Sequence, residues 1–105
     1  MEKLHKSEDS VLKFPVLCHF YKQSGSGKLL FLFSVSKKRF PKSVDRNRIK
    51  RLMREAIRLQ KNKILMSESH DLIIGLTFLS DSITNYQIIY NSVSTIINKI
   101  NSTKH

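Results

Sequence analysis

The stretch Ser43 to Lys61 reads SVDRNRIKRLMREAIRLQK. At roughly 100° per residue, Ile49, Leu52, Met53, Ala56 and Ile57 gather on one side with the i, i+3, i+4, i+7 spacing of a helix that faces a core. Asn47, Lys50, Arg51, Arg54, Arg58 and Lys61 gather on the other. The spacing predicts a helix over these residues, with Ser43 as its N-cap and Asp45 in the first turn, where the helix dipole favours a negative charge. Lys50, Arg54 and Arg58 follow one another at four-residue intervals, and like charges at that spacing weaken an isolated helix. A ridge of one sign over about four turns therefore implies an external anion that relieves it.

The surrounding charge agrees. The chain has 105 residues, enough for one domain, and 19 Lys+Arg against 8 Asp+Glu give a formal charge of +11. Twelve of the basic residues lie between Lys37 and Lys63, together with only Asp45 and Glu55, so +10 of the +11 sits in 27 residues. Such a field points first to nucleic acid and only second to an anionic membrane surface. Arginine strengthens the first choice, because its planar fork grips phosphate oxygens in pairs. No apolar run longer than Leu29 to Phe33 offers a membrane span, and Met1 to Ser10 is too polar for a signal peptide. The single cysteine, Cys18, makes neither an internal disulfide nor a zinc cluster. The expected location is the cytoplasm, with no membrane partner.

Outward from the helix, Val11 to Tyr21 is rich in β-branched and aromatic residues and reads as one strand, with Pro15 marking an edge or bulge. Its alternation places Phe14, Val16, Cys18 and Phe20 on one face and Leu17, His19 and Tyr21 on the other. Gln23 to Lys28 (QSGSGK) has the length and chemistry of a hairpin turn. It lacks the Ser or Thr that follows the lysine of a phosphate-binding loop, since Leu29 stands there. Leu29 to Ser36 is the next strand, with Phe31, Phe33 and Val35 on one face and Leu30, Leu32, Ser34 and Ser36 on the other. Lys37 to Lys42 is a basic connection in which Pro41 delays the helix. His70 to Phe78 reads as an interior strand. Thr84 with Gln87 suggests a capping box for a second amphipathic helix carrying Tyr86, Ile89, Tyr90, Val93, Ile96, Ile97 and Ile100. Met1 to Ser10 is expected to be irregular, and residues 11–101 to form one RNA-binding domain.

No constellation for protein catalysis is present. His5, His19, His70 and His105 fall in separate segments without metal-ligand spacing, and Cys18 sits in an apolar alternation. Neither a catalytic residue nor a metal site is expected, and no small-molecule substrate. A helix-turn-helix would need a partner helix just before the basic one, where a strand and loop stand instead. Shape and ribose-phosphate recognition of folded RNA fits better.

Ser34-Val-Ser-Lys-Lys38, then Arg46-Asn-Arg-Ile-Lys-Arg51 and Arg54-Glu55-Ala56, resembles the signature of the bacterial ribonuclease P protein component. The likeness extends more loosely from about Val11 to Ile100. It implies a small α+β fold, in which the RNR helix lies in a left-handed βαβ crossover, followed by a C-terminal amphipathic helix. The left hand runs against the general rule for such crossovers. It also implies a protein cofactor of a ribozyme: the RNA subunit, with Mg2+, removes the 5′ leader of precursor tRNA. The protein binds both the ribonuclease P RNA and the leader. By position, Arg46, Asn47, Arg48, Lys50, Arg51 and Arg54 match the RNR helix, while Lys37 and Lys38 match the basic strand end; Arg58 joins them from the ridge. Ser34 and Ser36 match the leader groove, and His19 and Tyr21 share that face by alternation, where an aromatic ring can stack on an unpaired base. Two departures stand out. The family's N-terminal helix is missing by this reading, and Leu30 and Leu32 stand where many relatives have Arg and Gly. The competing readings are a ribosomal or other structured-RNA binding protein and a stand-alone nuclease.

Overall fold

The computed structural model describes residues 8–66 and 68–102. Its strands are β1 (Glu8–Lys13), β2 (Val16–Ser24), β3 (Leu29–Val35) and β4 (His70–Phe78), and its helices α1 (Ser43–Arg58) and α2 (Tyr86–Ser102). A single 3-10 turn, Lys61–Lys63, follows α1. The sheet order is β1-β2-β4-β3, antiparallel throughout except for the β3–β4 pair, which is parallel. With α1 in the connection, β3 and β4 form the βαβ unit.

Alternation sorts the sheet into two faces. Register aligns Val16, Cys18 and Phe20 of β2 with Phe78, Leu76 and Ile74 of β4, and these with Val35, Phe33 and Phe31 of β3. This face meets Ile49, Met53, Ala56 and Ile57 of α1 and Ile89, Val93, Ile96, Ile97 and Ile100 of α2 in one core. The helix stripe read from spacing is thus the buried one, and each fully buried aliphatic side chain contributes about 1.5–3 kcal/mol. α1 packs on β3 and α2 on β1 and β2. The other face carries Leu17, His19, Tyr21, Ile73, Gly75, Thr77, Leu30, Leu32 and Ser34, with Leu12 on β1. It stays open: Leu12, Leu30 and Leu32 are 62%, 47% and 66% exposed. Among the described residues no helix is long and apolar enough to cross a membrane.

Several local expectations are corrected. The segment read as one strand from Val11 to Tyr21 is a tight hairpin, turning at Phe14-Pro15 with Lys13 opposite Val16. Proline has no N–H to continue the ladder, and its carbonyl accepts the Leu79 N–H at 2.8 Å. Phe14 therefore projects from the turn, 63% exposed, instead of joining the buried face. β1 begins at Glu8, so Glu8 to Ser10 are not irregular; the remainder of that segment, and the question of an N-terminal helix, lie outside the described residues. Gln23 to Lys28 does not close a hairpin, because β4 inserts between β2 and β3.

Both N-caps shift. α1 starts at Ser43 itself, and Lys42, in extended conformation, precedes it with no side-chain cap; the Lys42 carbonyl accepts the N–H groups of Asp45 and Arg46 at 3.1 and 3.2 Å. For α2 the cap is Asn85, whose Oδ1 accepts the Ile88 N–H at 3.0 Å, so the Thr84–Gln87 box does not form. Asparagine is among the best N-caps, which explains the one-residue displacement.

Candidate nucleic-acid interface

α1 is fixed at both ends before it presents anything. At its N-terminus Phe40 is buried with its ring 6.0 Å from that of Phe78, which anchors the loop from Lys37 to Lys42. Ser36 Oγ accepts the N–H groups of Lys38 and Arg39 at 3.1 and 3.4 Å and so shapes the turn after β3. Arg39 donates to the Leu79 carbonyl and pairs with Asp81 at 3.2 Å, tying the same loop to the one after β4. At the C-terminal end Gln60 is fully buried, and its Nε2 donates to the carbonyls of Ala56 at 3.3 Å and Tyr90 at 3.2 Å. That bond joins α1 to α2.

On this frame the sequence-derived residues divide. Asn47, Arg48, Arg51 and Arg54 are exposed, as are Lys37 and Lys38 at the strand end, while Lys50 is half-buried. Together they make a continuous cationic flank. Arg46 behaves differently: its Nη1 donates to the carbonyls of Phe40 and Pro41, both at 2.9 Å, so it braces the loop. Arg58 donates through Nε and Nη2 to the Glu55 carboxylate. That contact holds Glu55 below the usual carboxylate range and raises Arg58 further. One unit of the ridge's charge is thereby offset locally.

The second set is brought together only in part. His19, Tyr21 and Ser34 share the open face with Leu30 and Leu32: Ile73 of β4 lies between Tyr21 and Leu30, and Gly75 between His19 and Leu32. Ser36 lies beyond β3, its hydroxyl committed to the turn. The ridge and the open face meet along β3, whose residues alternate between them. Spacing arguments missed one member of this region: the Arg54 guanidinium lies 5.2 Å from the centre of the Phe33 ring, a cation–π contact. The two-residue alternation of β3 combined with the helix wheel held the signal, but only the fold sets the two elements side by side.

Two groups that could carry chemistry have definite surroundings in the fold. Cys18 is buried, and desolvation pushes its thiol up to about 12, far from a thiolate nucleophile. Asp71 accepts the N–H groups of Ser26 and Lys28 at 3.0 and 2.9 Å, which holds its carboxyl below its ordinary value and clasps the β2–β3 loop. Among the described residues no cluster of three His, Cys, Asp or Glu side chains stands ready to hold a metal.

Comparison with known proteins bears on this surface. A family model described as Ribonuclease P matches residues 2–101. A ribonuclease P protein component from Chlorobaculum tepidum is 60% identical over 40 residues, covering 38% of this chain and 26% of that protein. One from Porphyromonas gingivalis is 41% identical over 61 residues, covering 55% of this chain and 44% of that protein. The chain thus matches less than half the length of these curated relatives. Among solved structures, a Staphylococcus aureus RNase P protein mutant with defective mRNA degradation activity superposes with a TM-score of 0.69 at 26% identity, covering 93% of this chain and 79% of that one. The Thermotoga maritima RNase P protein shares the fold, with a TM-score of 0.71 at 19% identity over 94% of this chain and 89% of that one.

Proposed function

The chain belongs to the ribonuclease P protein family, and from that premise we propose that it is the protein subunit of a ribonucleoprotein endonuclease that removes the 5′ leader of precursor tRNA in the cytoplasm. The observation that carries this reading is the pairing of two surfaces on one small scaffold: a cationic flank of α1 anchored at both ends, and an open sheet face that adjoins it along β3. In this reading Lys37, Lys38, Asn47, Arg48, Lys50, Arg51 and Arg54 bind the phosphates of the RNA subunit. Arg46 and Arg58 stand at its edges, one bracing the loop and the other tied to Glu55. His19, Tyr21 and Ser34 offer the open face to the single-stranded leader.

Catalysis belongs to the RNA subunit, with Mg2+ held by its phosphates. What this chain contributes is binding energy: it neutralises the backbone, orients the leader and lowers the magnesium concentration the RNA requires. The test mixes purified protein with a bacterial ribonuclease P RNA and a precursor tRNA at low magnesium. Stimulated leader removal is the expected result. No stimulation would overturn the reading, and cleavage by protein alone would overturn the assignment of catalysis to RNA. Affinity for the RNA subunit falls steeply with salt, since each neutralised phosphate releases counterions.

A further inference from the structure

Between β3, the outer strand of the sheet, and the C-terminal half of α1 lies a groove of about 350 Å³, lined by Phe31, Phe33, Arg54, Ile57, Arg58 and Lys61. Its floor is aromatic. The Phe31 and Phe33 rings lie 6.3 Å apart at 20° to one another. They point to the core side of the sheet, yet both are only partly buried, whereas their register partners Ile74 and Leu76 on β4 are fully so. At the edge of the sheet no described residue of the core completes their burial. Above them stands Arg54, with Lys61 and the Glu55-paired Arg58 at the rim, and among the described residues no carboxylate lines the groove. Flat apolar walls beneath a cationic rim complement a nucleotide, which presents a π-face and an anionic phosphate together.

We infer that this groove receives one unstacked base of the RNA subunit, whose face lies against Phe31 and the Arg54 guanidinium and whose phosphate meets Lys61. The inference rests on the reading of α1 as the RNA-docking helix. It assigns the base to the RNA subunit and not to the leader, because the groove continues the cationic flank and the leader face lies on the other side of the sheet. An acidic peptide would use the cations and leave the rings without a partner.

Phe31→Leu keeps an apolar side chain beside Ile74 and removes the π-face on which the base rests. Its affinity for a bacterial ribonuclease P RNA falls roughly 5- to 100-fold, as expected for one lost base stack. The dependence of that affinity on salt keeps its slope, since no cation is removed. Affinity for a single-stranded leader oligonucleotide stays as in the wild type. A folded Phe31→Leu protein that binds the RNA subunit like the wild type overturns the inference, and a loss confined to the leader oligonucleotide overturns the choice of source. Should the variant melt early, the wild type answers the same question. Adenosine 5′-monophosphate at millimolar concentration shifts the ring resonances of Phe31 and Phe33 and leaves those of Tyr21 in place; unmoved Phe31 and Phe33 rings overturn the inference. Wild-type protein that fails to bind the RNA subunit is a different result, and it overturns the proposed function itself.

Discussion

Arg46 is the first arginine of the RNR triplet, and the structure gives it work that RNA does not supply. Its Nη1 holds the carbonyls of Phe40 and Pro41, both at 2.9 Å. Phe40 is 6% exposed, so water competes poorly for its neighbourhood, whereas Pro41 is exposed and its bond is discounted. One hydrogen bond from a charged donor is worth about 1.5–3 kcal/mol net, and partial exposure places the pair near the low end, about 1.5–2 kcal/mol. Unfolding entropy of about 2.1 cal/mol/K per residue gives ~0.2 kcal/mol/K for a chain of this length, so Arg46→Met, which keeps the aliphatic stem, lowers Tm by about 7–10 °C. Arg51→Ala, at an exposed position on the ridge, stays within about 0.5 kcal/mol of the wild type in stability. Circular-dichroism melting separates the two. Their salt dependence separates them again: Arg51→Ala reduces the slope of log affinity for the RNA subunit by about 1, as for one lost phosphate contact. Arg46→Met leaves that slope nearly intact. An Arg46→Met protein that melts like the wild type and loses a full unit of slope would refute the bracing role and make Arg46 a phosphate ligand.

Other outcomes follow from the same contacts. The Asp71 carboxyl is held low by the N–H groups of Lys28 and Ser26, so its stabilisation is complete above the ordinary aspartate value of about 3.9 and is lost as pH falls through the lower folded value. Asp71→Asn should flatten the acid limb of the melting temperature below the ordinary aspartate range. Gly25→Ala brings a methyl group onto the Asp71 carboxylate and should speed amide exchange at Ser26 and Lys28 while leaving α1 protected. Ile49→Ala, at a fully buried position, should cost about 2–5 kcal/mol in denaturant unfolding. Cys18, whose thiol is pushed up to about 12, should resist iodoacetamide at pH 8 in the native state and react on unfolding.

The helices were legible because their evidence is local. Ile49, Met53, Ala56 and Ile57 repeat with the helical period, and every one of them is buried. Strand alternation was equally readable for Val16, Cys18 and Phe20. Strand order was not. The insertion of β4 between β2 and β3 is recorded in pairings such as Leu29 with Leu72, and in the clasp of Asp71 on a loop more than forty residues earlier, and neither leaves a periodic trace. The caps failed for a smaller reason. Thr84 and Asn85 are adjacent candidates, and which hydroxyl or amide meets a free N–H depends on where the chain enters the helix. At the interface, position along the chain identified the cations but not their obligations. Arg46 and Arg51 both fall within the RNRIKR stretch that the resemblance singles out, yet one is bonded to a loop carbonyl pair fixed by the burial of Phe40. Buried Gln60 was passed over because a glutamine at the end of a basic helix reads as solvated, and only α2 gives its amide the Tyr90 carbonyl.

The central place of β4 also orders events during synthesis. β1 and β2 form a hairpin as soon as both have emerged, but β3 has no partner among the elements made before it. Its neighbour is translated only after α1 and the 3-10 turn, so Phe31 and Phe33 wait, unpaired, through the making of more than thirty further residues. During that interval the nascent chain carries an unpaired edge strand beside a helix of repelling charges, the two features that most delay compaction and invite wrong pairing. Completion of β4 supplies the missing partner, with β2 on one side and β3 on the other. Completion of the sheet therefore waits on residues 70 to 78, the last strand to be made.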